Sequence, residues 1–187
     1  MKRTILLAFS LIVSLSTIRA QVPIPSIGPP INLDLGVGGG ISLPNGKLND
    51  SDNTGFHVGA KARLHGSIPV NIVLSGNYNR LPNKSGSESD VIWMIGAGLE
   101  YPIPSIEVKP YLGADVLVSS FSSTAAGSQS ITREGLGLGA GVAFPVPAVG
   151  NFDVSVKYQM LNLVGKESNE DTISQIAANV SLMFSIF

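Results

Sequence analysis

The 187-residue chain predicts an all-β fold, an eight-stranded antiparallel up-and-down transmembrane β-barrel. Three observations carry that expectation: a side-chain period of two over long runs, connections of two kinds in alternation, and a composition hostile to helices. The chain holds 21 Gly and 12 Pro, only 13% of its residues are charged, and its mean hydropathy is +0.30. It is too apolar for a disordered chain. Gly is also far too frequent for a helical domain, where Ala, Leu, Glu and Lys dominate. The absence of cysteine excludes a disulfide scaffold, a thiolate zinc site, a Cys nucleophile and an acylated N-terminal Cys.

The N-terminus precedes the fold. Lys2 and Arg3 lead into the apolar run 5–13, and Ile18-Arg19-Ala20 closes the segment before Gln21. A charged start, a short apolar core and a small final residue predict a secretory signal peptide over 1–20, cleaved near Ala20. An uncleaved anchor is the alternative, but the run is too short to span a bilayer as a stable helix. Removing Lys2, Arg3 and Arg19 leaves nine of the 12 basic residues against 13 acidic ones, a charge of −4. No basic tract remains for nucleic acid. Residues 21–30, with Pro23, Pro25, Pro29 and Pro30, read as an extended periplasmic lead-in, and the barrel is expected over 31–187. No later segment approaches the ~18 unbroken apolar residues of a membrane helix.

The first strand begins at Ile31. Ile31, Leu33, Leu35, Val37, Gly39, Ile41 and Leu43 share one face, while Asn32, Asp34, Gly36, Gly38, Gly40 and Ser42 share the other. In the second, Phe56, Val58, Ala60, Ala62, Leu64 and Ile68 oppose His57, Gly59, Lys61, Arg63, His65 and Ser67. Strict alternation of this kind is a strand signal and not a helical one. Six further strands are read at 70–81, 91–101, 108–119, 133–144, 152–164 and 173–187. Most runs reach the ~9–11 residues of a tilted membrane-spanning strand, where a soluble strand averages about five or six. A soluble β-sandwich also alternates, but its strands are shorter and its outer face more charged.

Four connections, 44–53, 82–90, 120–132 and 165–172, are polar; the three between them are short, apolar and proline-bearing. Tyr101-Pro102-Ile103-Pro104-Ser105-Ile106 and Phe144-Pro145-Val146-Pro147-Ala148-Val149 are nearly one motif, a hairpin apart. Proline cannot donate a ladder hydrogen bond and so ends a strand. Long polar loops at one rim and short turns at the other mark barrels of the bacterial outer membrane. Phe56, Tyr78 and Trp93 are expected at the lipid interface near the long loops, and Tyr101, Phe144 and Phe152 at the interface near the turns.

These features resemble the small eight-stranded outer-membrane barrels, the OmpA/OmpX-like transmembrane domain and its generic outer membrane protein beta-barrel relatives. The likeness covers 31–187 and rests on the leader, strand count, loop asymmetry and terminal Phe187. It implies export to the outer membrane of a Gram-negative-type bacterium, insertion by the barrel-assembly machinery, and a monomer surrounded by lipid. Such barrels usually end in Phe on the apolar face. Here Ile176, Ala178, Val180, Leu182, Phe184 and Ile186 form that face, so Phe187 falls on the polar parity.

Candidate chemistry is sparse. Gly135, Gly137, Gly139 and Gly141 alternate along a strand, whereas a dinucleotide loop needs a helix after it; they are expected to make room for bulkier interior side chains. His65 and Ser67, two apart on one face, have the spacing of a base and nucleophile, and lipid A deacylases of the outer membrane use such a pair. Both fall on the inward face near the short turn, away from lipid, with no carboxylate evidently placed to orient His65. His57 and His65 are about 26 Å apart along one strand, too far to share a metal, and Asp50 and Asp52 suit at most a weak loop cation. No cofactor or metal is expected.

Asp34, Lys61, Arg63, Asp115, Asp153 and Lys157 are expected inside, since a cation at mid-depth on the lipid face costs about 2–4 kcal/mol. A first hairpin centred near Leu48-Asn49 sets Asp34 opposite Arg63 and Gly36 opposite Lys61, and predicts an Asp34–Arg63 contact. Eight strands enclose an interior just filled by side chains, which argues against a diffusion porin. The expected function is therefore a non-enzymatic outer-membrane barrel with a structural or surface-interaction role through its loops. A minor barrel for small solutes is the first alternative, and a lipid A-modifying enzyme using His65 and Ser67 the second.

Overall fold

A computed structural model describes residues 31–104, 108–125, 129–146, 150–166 and 170–186. The leader 1–20, the lead-in 21–30 and Phe187 lie outside the described residues. The strands are β1 Asn32–Gly46, β2 Gly55–His65, β3 Asn71–Pro82, β4 Ser89–Pro102, β5 Lys109–Ser123, β6 Ile131–Val146, β7 Gly150–Val164 and β8 Ile173–Ser185. Each pairs antiparallel with its sequence neighbours, and β1 pairs with β8, so the sheet closes without an edge. The single helix among the described residues is α1, Lys47–Ser51, in the β1–β2 loop.

The strands are 11 to 16 residues long, and most outrun the sequence reading at the polar-loop rim. β1 runs on through Pro44 to Gly46, β5 through Ser120 to Ser123, and β6 starts at Ile131. Polar sequence there is compatible with strand pairing because both faces are already leaving the apolar band. β2 is the exception. It stops at His65, so Ser67 lies in the turn, exposed, and the expected shared face of His65 and Ser67 ends before it is reached.

The register follows the loop-centre argument: Asp34 pairs with Arg63 and Gly36 with Lys61. Alternation places Leu35, Val37, Ile41, Val58, Leu74, Ile95, Val116, Leu138 and Val156 outside, exposed, and leaves most charge inside. The interior is less uniformly polar than the sequence suggests. Leu81, Ile92 and Leu161 are fully buried, and with Met94, Leu117 and the α1 residue Leu48 they form an apolar layer at the loop end. Above the hydrocarbon band the inward face has no lipid to avoid and can close on itself by apolar contact.

The β6 glycines act as expected. An added Cβ at Gly137 would collide with the Asp115 carboxylate, one at Gly139 with the Lys157 stem, and one at Gly141 with the Tyr111 ring. A barrel this narrow admits a long interior side chain only where the facing strand has none.

Candidate functional site

The interior is built in layers along the barrel axis. Nearest the short turns, the Ser185 hydroxyl donates to Asp34 Oδ1 at 2.6 Å, and His65 Nε2 lies 2.7 Å from Asp34 Oδ2. His65 Nδ1 lies 3.1 Å from Asn71 Oδ1. A carboxylate thus does orient His65, contrary to the sequence reading, but the imidazole is spent on Asp34 and Asn71. Ser67 belongs to no such set.

The next layer holds the main charge cluster. Arg63 Nε donates to Glu100 Oε2 at 2.6 Å, and its Nη2 donates to Asp153. Lys61 Nζ is 2.6 Å from Glu100 Oε1 and 3.6 Å from Asp153 Oδ1. Tyr111 donates to Asp153 Oδ1 at 2.8 Å, and both cations lie about 5 Å from its ring centre (4.9 Å for Lys61, 5.0 Å for Arg63). Two cations against two anions leave the layer neutral, with Arg63, Glu100, Tyr111 and Asp153 buried. The expected Asp34–Arg63 contact is therefore replaced. The residues are paired in register, but the guanidinium reaches across the lumen to β4 and β7, where two carboxylates receive it, while Asp34 turns to His65 and Ser185.

Glu100 and Tyr111 are the residues missed by sequence reasoning. The signal was present for Glu100: Leu99 and Tyr101 beside it are exposed on the outer wall, so a strand places Glu100 inward. Ile92 and Met94 on the same inward parity obscured it. For Tyr111 the clue is the bare Gly141 that pairs with it.

Deeper still, Lys157 Nζ bonds Asp115 at 2.8 Å. Above it a neutral network spans the lumen. Ser42 Oγ is 3.0 Å from His57 Nδ1, His57 Nε2 is 3.2 Å from Asn179 Oδ1, and Gln175 Nε2 donates to Gln159 Oε1 at 2.8 Å. A cavity of about 60 Å³ lies between these layers, lined by His57, Lys61, Asn77, Lys157 and Asn179 among others. Then comes the apolar layer under α1.

The loop rim is tied by polar contacts. Asn162 Nδ2 donates to the Glu170 carboxylate at 2.9 Å, Arg133 pairs with the same group at 3.0 Å, and the Ile173 N–H donates to Asn162 Oδ1 at 2.6 Å. Asp52 is fully buried beside α1, bridged to Asn83, and takes the Ser51 hydroxyl at 2.6 Å. Burial pushes its carboxyl above the ordinary value, and the nearby Asp90 charge adds to this against the Ser51 hydrogen bond. Asp50 is exposed and pairs with Lys47 at 3.5 Å. Among the described residues no group of three acidic, His or Cys side chains can hold a metal.

A family profile described as the outer membrane protein beta-barrel domain matches residues 8–184. The chain belongs to this family. Membership in the outer membrane protein beta-barrel family makes it an integral outer-membrane barrel protein, with its outward wall as the lipid face. Solved structures agree on the fold. Neisserial surface protein A is 23% identical with a TM-score of 0.58, covering 82% of this chain and 97% of that one. The N-terminal β-barrel domain of Pseudomonas aeruginosa OprF is 13% identical with a TM-score of 0.52, covering 84% and 99%. A major outer membrane protein from Thermus thermophilus is 13% identical with a TM-score of 0.51, covering 83% and 99%. A comparison with curated protein sequences returned no match.

On the lipid face of this outer membrane protein beta-barrel domain, Phe56, Trp93, Tyr101, Phe144 and Phe152 are exposed. Tyr78 is half-buried edge-on against Trp93, with ring centres 4.9 Å apart. Phe144 pairs directly with Phe152 at the turn end.

Proposed function

We propose that this outer-membrane barrel is a non-enzymatic monomer acting structurally, or through its four polar loops, at the cell surface. The observation that carries this reading is the filled lumen. An apolar layer at the loop end and a neutral ionic layer toward the turns enclose a cavity of about 60 Å³, room for a few waters. A solute path would have to break both. Purified protein in planar bilayers is expected to give no sustained stepwise conductance; steady steps would favour the small-solute alternative instead.

The reading includes export with cleavage near Ala20, a mature protein starting at Gln21, insertion by the barrel-assembly machinery, and both termini in the periplasm. Strand number supports the last point, because an even count returns the chain to its starting side. A mature N-terminus sequenced elsewhere than near Gln21 would count against the leader. The lipid A-modifying alternative loses its support with Ser67 out of the strand, so His65→Ala and Ser67→Ala are each expected to leave the lipid A acyl pattern unchanged by mass spectrometry.

A further inference from the structure

Arg80 is left without a role by the interior chemistry. Among the charged side chains of the eight strands, only Arg80 and Glu134 take the outward parity. Arg80 is exposed, and its side chain makes no hydrogen bond or ion pair to any described residue. A cation on this face is costly at mid-depth and nearly free at the interface, so its height decides what it does. Arg80 lies two residues before the end of β3, opposite Phe56 on β2 and Val91 on β4. The rung just below is the Tyr78–Trp93 pair. Aromatic rings near a strand end mark the edge of the hydrocarbon. Arg80, one rung beyond that pair, lies on its headgroup side.

We propose that Arg80, one rung above the Tyr78–Trp93 pair, is a docking point for the phosphate of an outer-leaflet lipid. The guanidinium fork matches a phosphate's oxygens bidentately and is weakly hydrated enough to stay beside an apolar wall. The wall below fits an acyl chain. Gly76 sits one rung beneath Tyr78, paired with Ala60 and Ile95, and nothing occupies the space a Cβ would take there. The result is a shallow depression on the same strand two rungs below Arg80, beneath Tyr78. A lipid whose phosphate meets Arg80 lays a chain along it, which a free phosphate cannot do.

The chain's single tryptophan, Trp93, reports on this spot. Full-length protein is folded into phosphatidylcholine vesicles in which either the phosphatidylcholine or a minor phosphatidic acid fraction carries brominated chains. Quenching of Trp93 then gives the local preference for the phosphomonoester lipid. Roughly fivefold enrichment is expected, the factor corresponding to about 1 kcal/mol for one cation at an anionic surface. Arg80→Gln should bring the ratio to one, and Arg80→Lys should keep most of the enrichment. A Trp93→Phe, Tyr158→Trp protein moves the reporter to β7, on the opposite wall from β3, and should show no preference. Absence of enrichment in the wild type, equal enrichment at the opposite wall, or an Arg80→Gln ratio as high as the wild type would each overturn the proposal.

Discussion

Arg63 illustrates how a residue's partners differ from its neighbours. Its directly opposed residue is Asp34, yet its ion pairs are to Glu100 and Asp153, on strands that face it across the lumen. Removing one member of a buried ionic set strands the others and costs roughly 3–5 kcal/mol. Arg63→Ala should therefore lower the urea midpoint in detergent more than Asp34→Ala. In double-mutant cycles Arg63 should couple strongly to Glu100 and weakly to Asp34; a dominant Asp34 coupling would reinstate the in-register pair. Asp52 offers a pH test at the same scale. Its raised folded value means the folded chain holds the proton more tightly than the unfolded one. The associated stability is complete below the ordinary Asp value of about 3.9 and is lost as pH rises through the folded value. Asp52→Asn removes the titration. Its unfolding midpoint should gain on the wild type between about pH 3 and pH 7, and a constant gap would exclude the effect.

Strand β6 shows how much of an element can be read in advance. Its alternation of Gly with Leu and Ala is a strand pattern in any context, and the small residues were legible as space for something larger. What filled the space was not legible, because Asp115, Tyr111 and Lys157 come from β5 and β7. Gly141→Ala drives a methyl into the rigid Tyr111 ring and should destabilise by about 1–3 kcal/mol. Gly76→Ala, on the open outer wall, should be neutral or slightly stabilising, since a strand gains from losing a glycine. Thermal unfolding of the two variants separates a packing cost from a backbone one. In β4 the inward parity mixes Ile92 and Met94 with Glu100, so no single polarity labels that face. The same strand lies in the apolar layer at one end and the ionic layer at the other. The α1 turn was missed for a simpler reason: five residues give too little periodicity to register.

At the scale of the whole molecule, closure sets which groups the solvent reaches. Lys47, Lys84 and Lys166 are exposed at the loop rim, Lys109 is exposed at the turn rim, and Lys61 and Lys157 are enclosed. An impermeant amine reagent on intact cells should modify the first three and spare the rest, read by peptide mass spectrometry. Modification of Lys109 with Lys84 spared would invert the topology. A closed sheet also resists detergent until heated, so unboiled and boiled outer-membrane fractions should migrate differently on a gel.

Sequence alone determined strand number, strand direction, the register of the first hairpin and the inward face of Asp34, Lys61, Arg63, Asp115, Asp153 and Lys157. Those follow from local physics: a period of two, turn residues that end strands, and the cost of charge against lipid. The tertiary structure alone decided which interior groups meet. Arg63 with Glu100 and Asp153, and Leu161 with Leu81 and Ile92, bring together strands far apart in sequence. Closure of the sheet into a narrow cylinder creates those contacts, and alternation along one strand carries no information about what stands across the lumen.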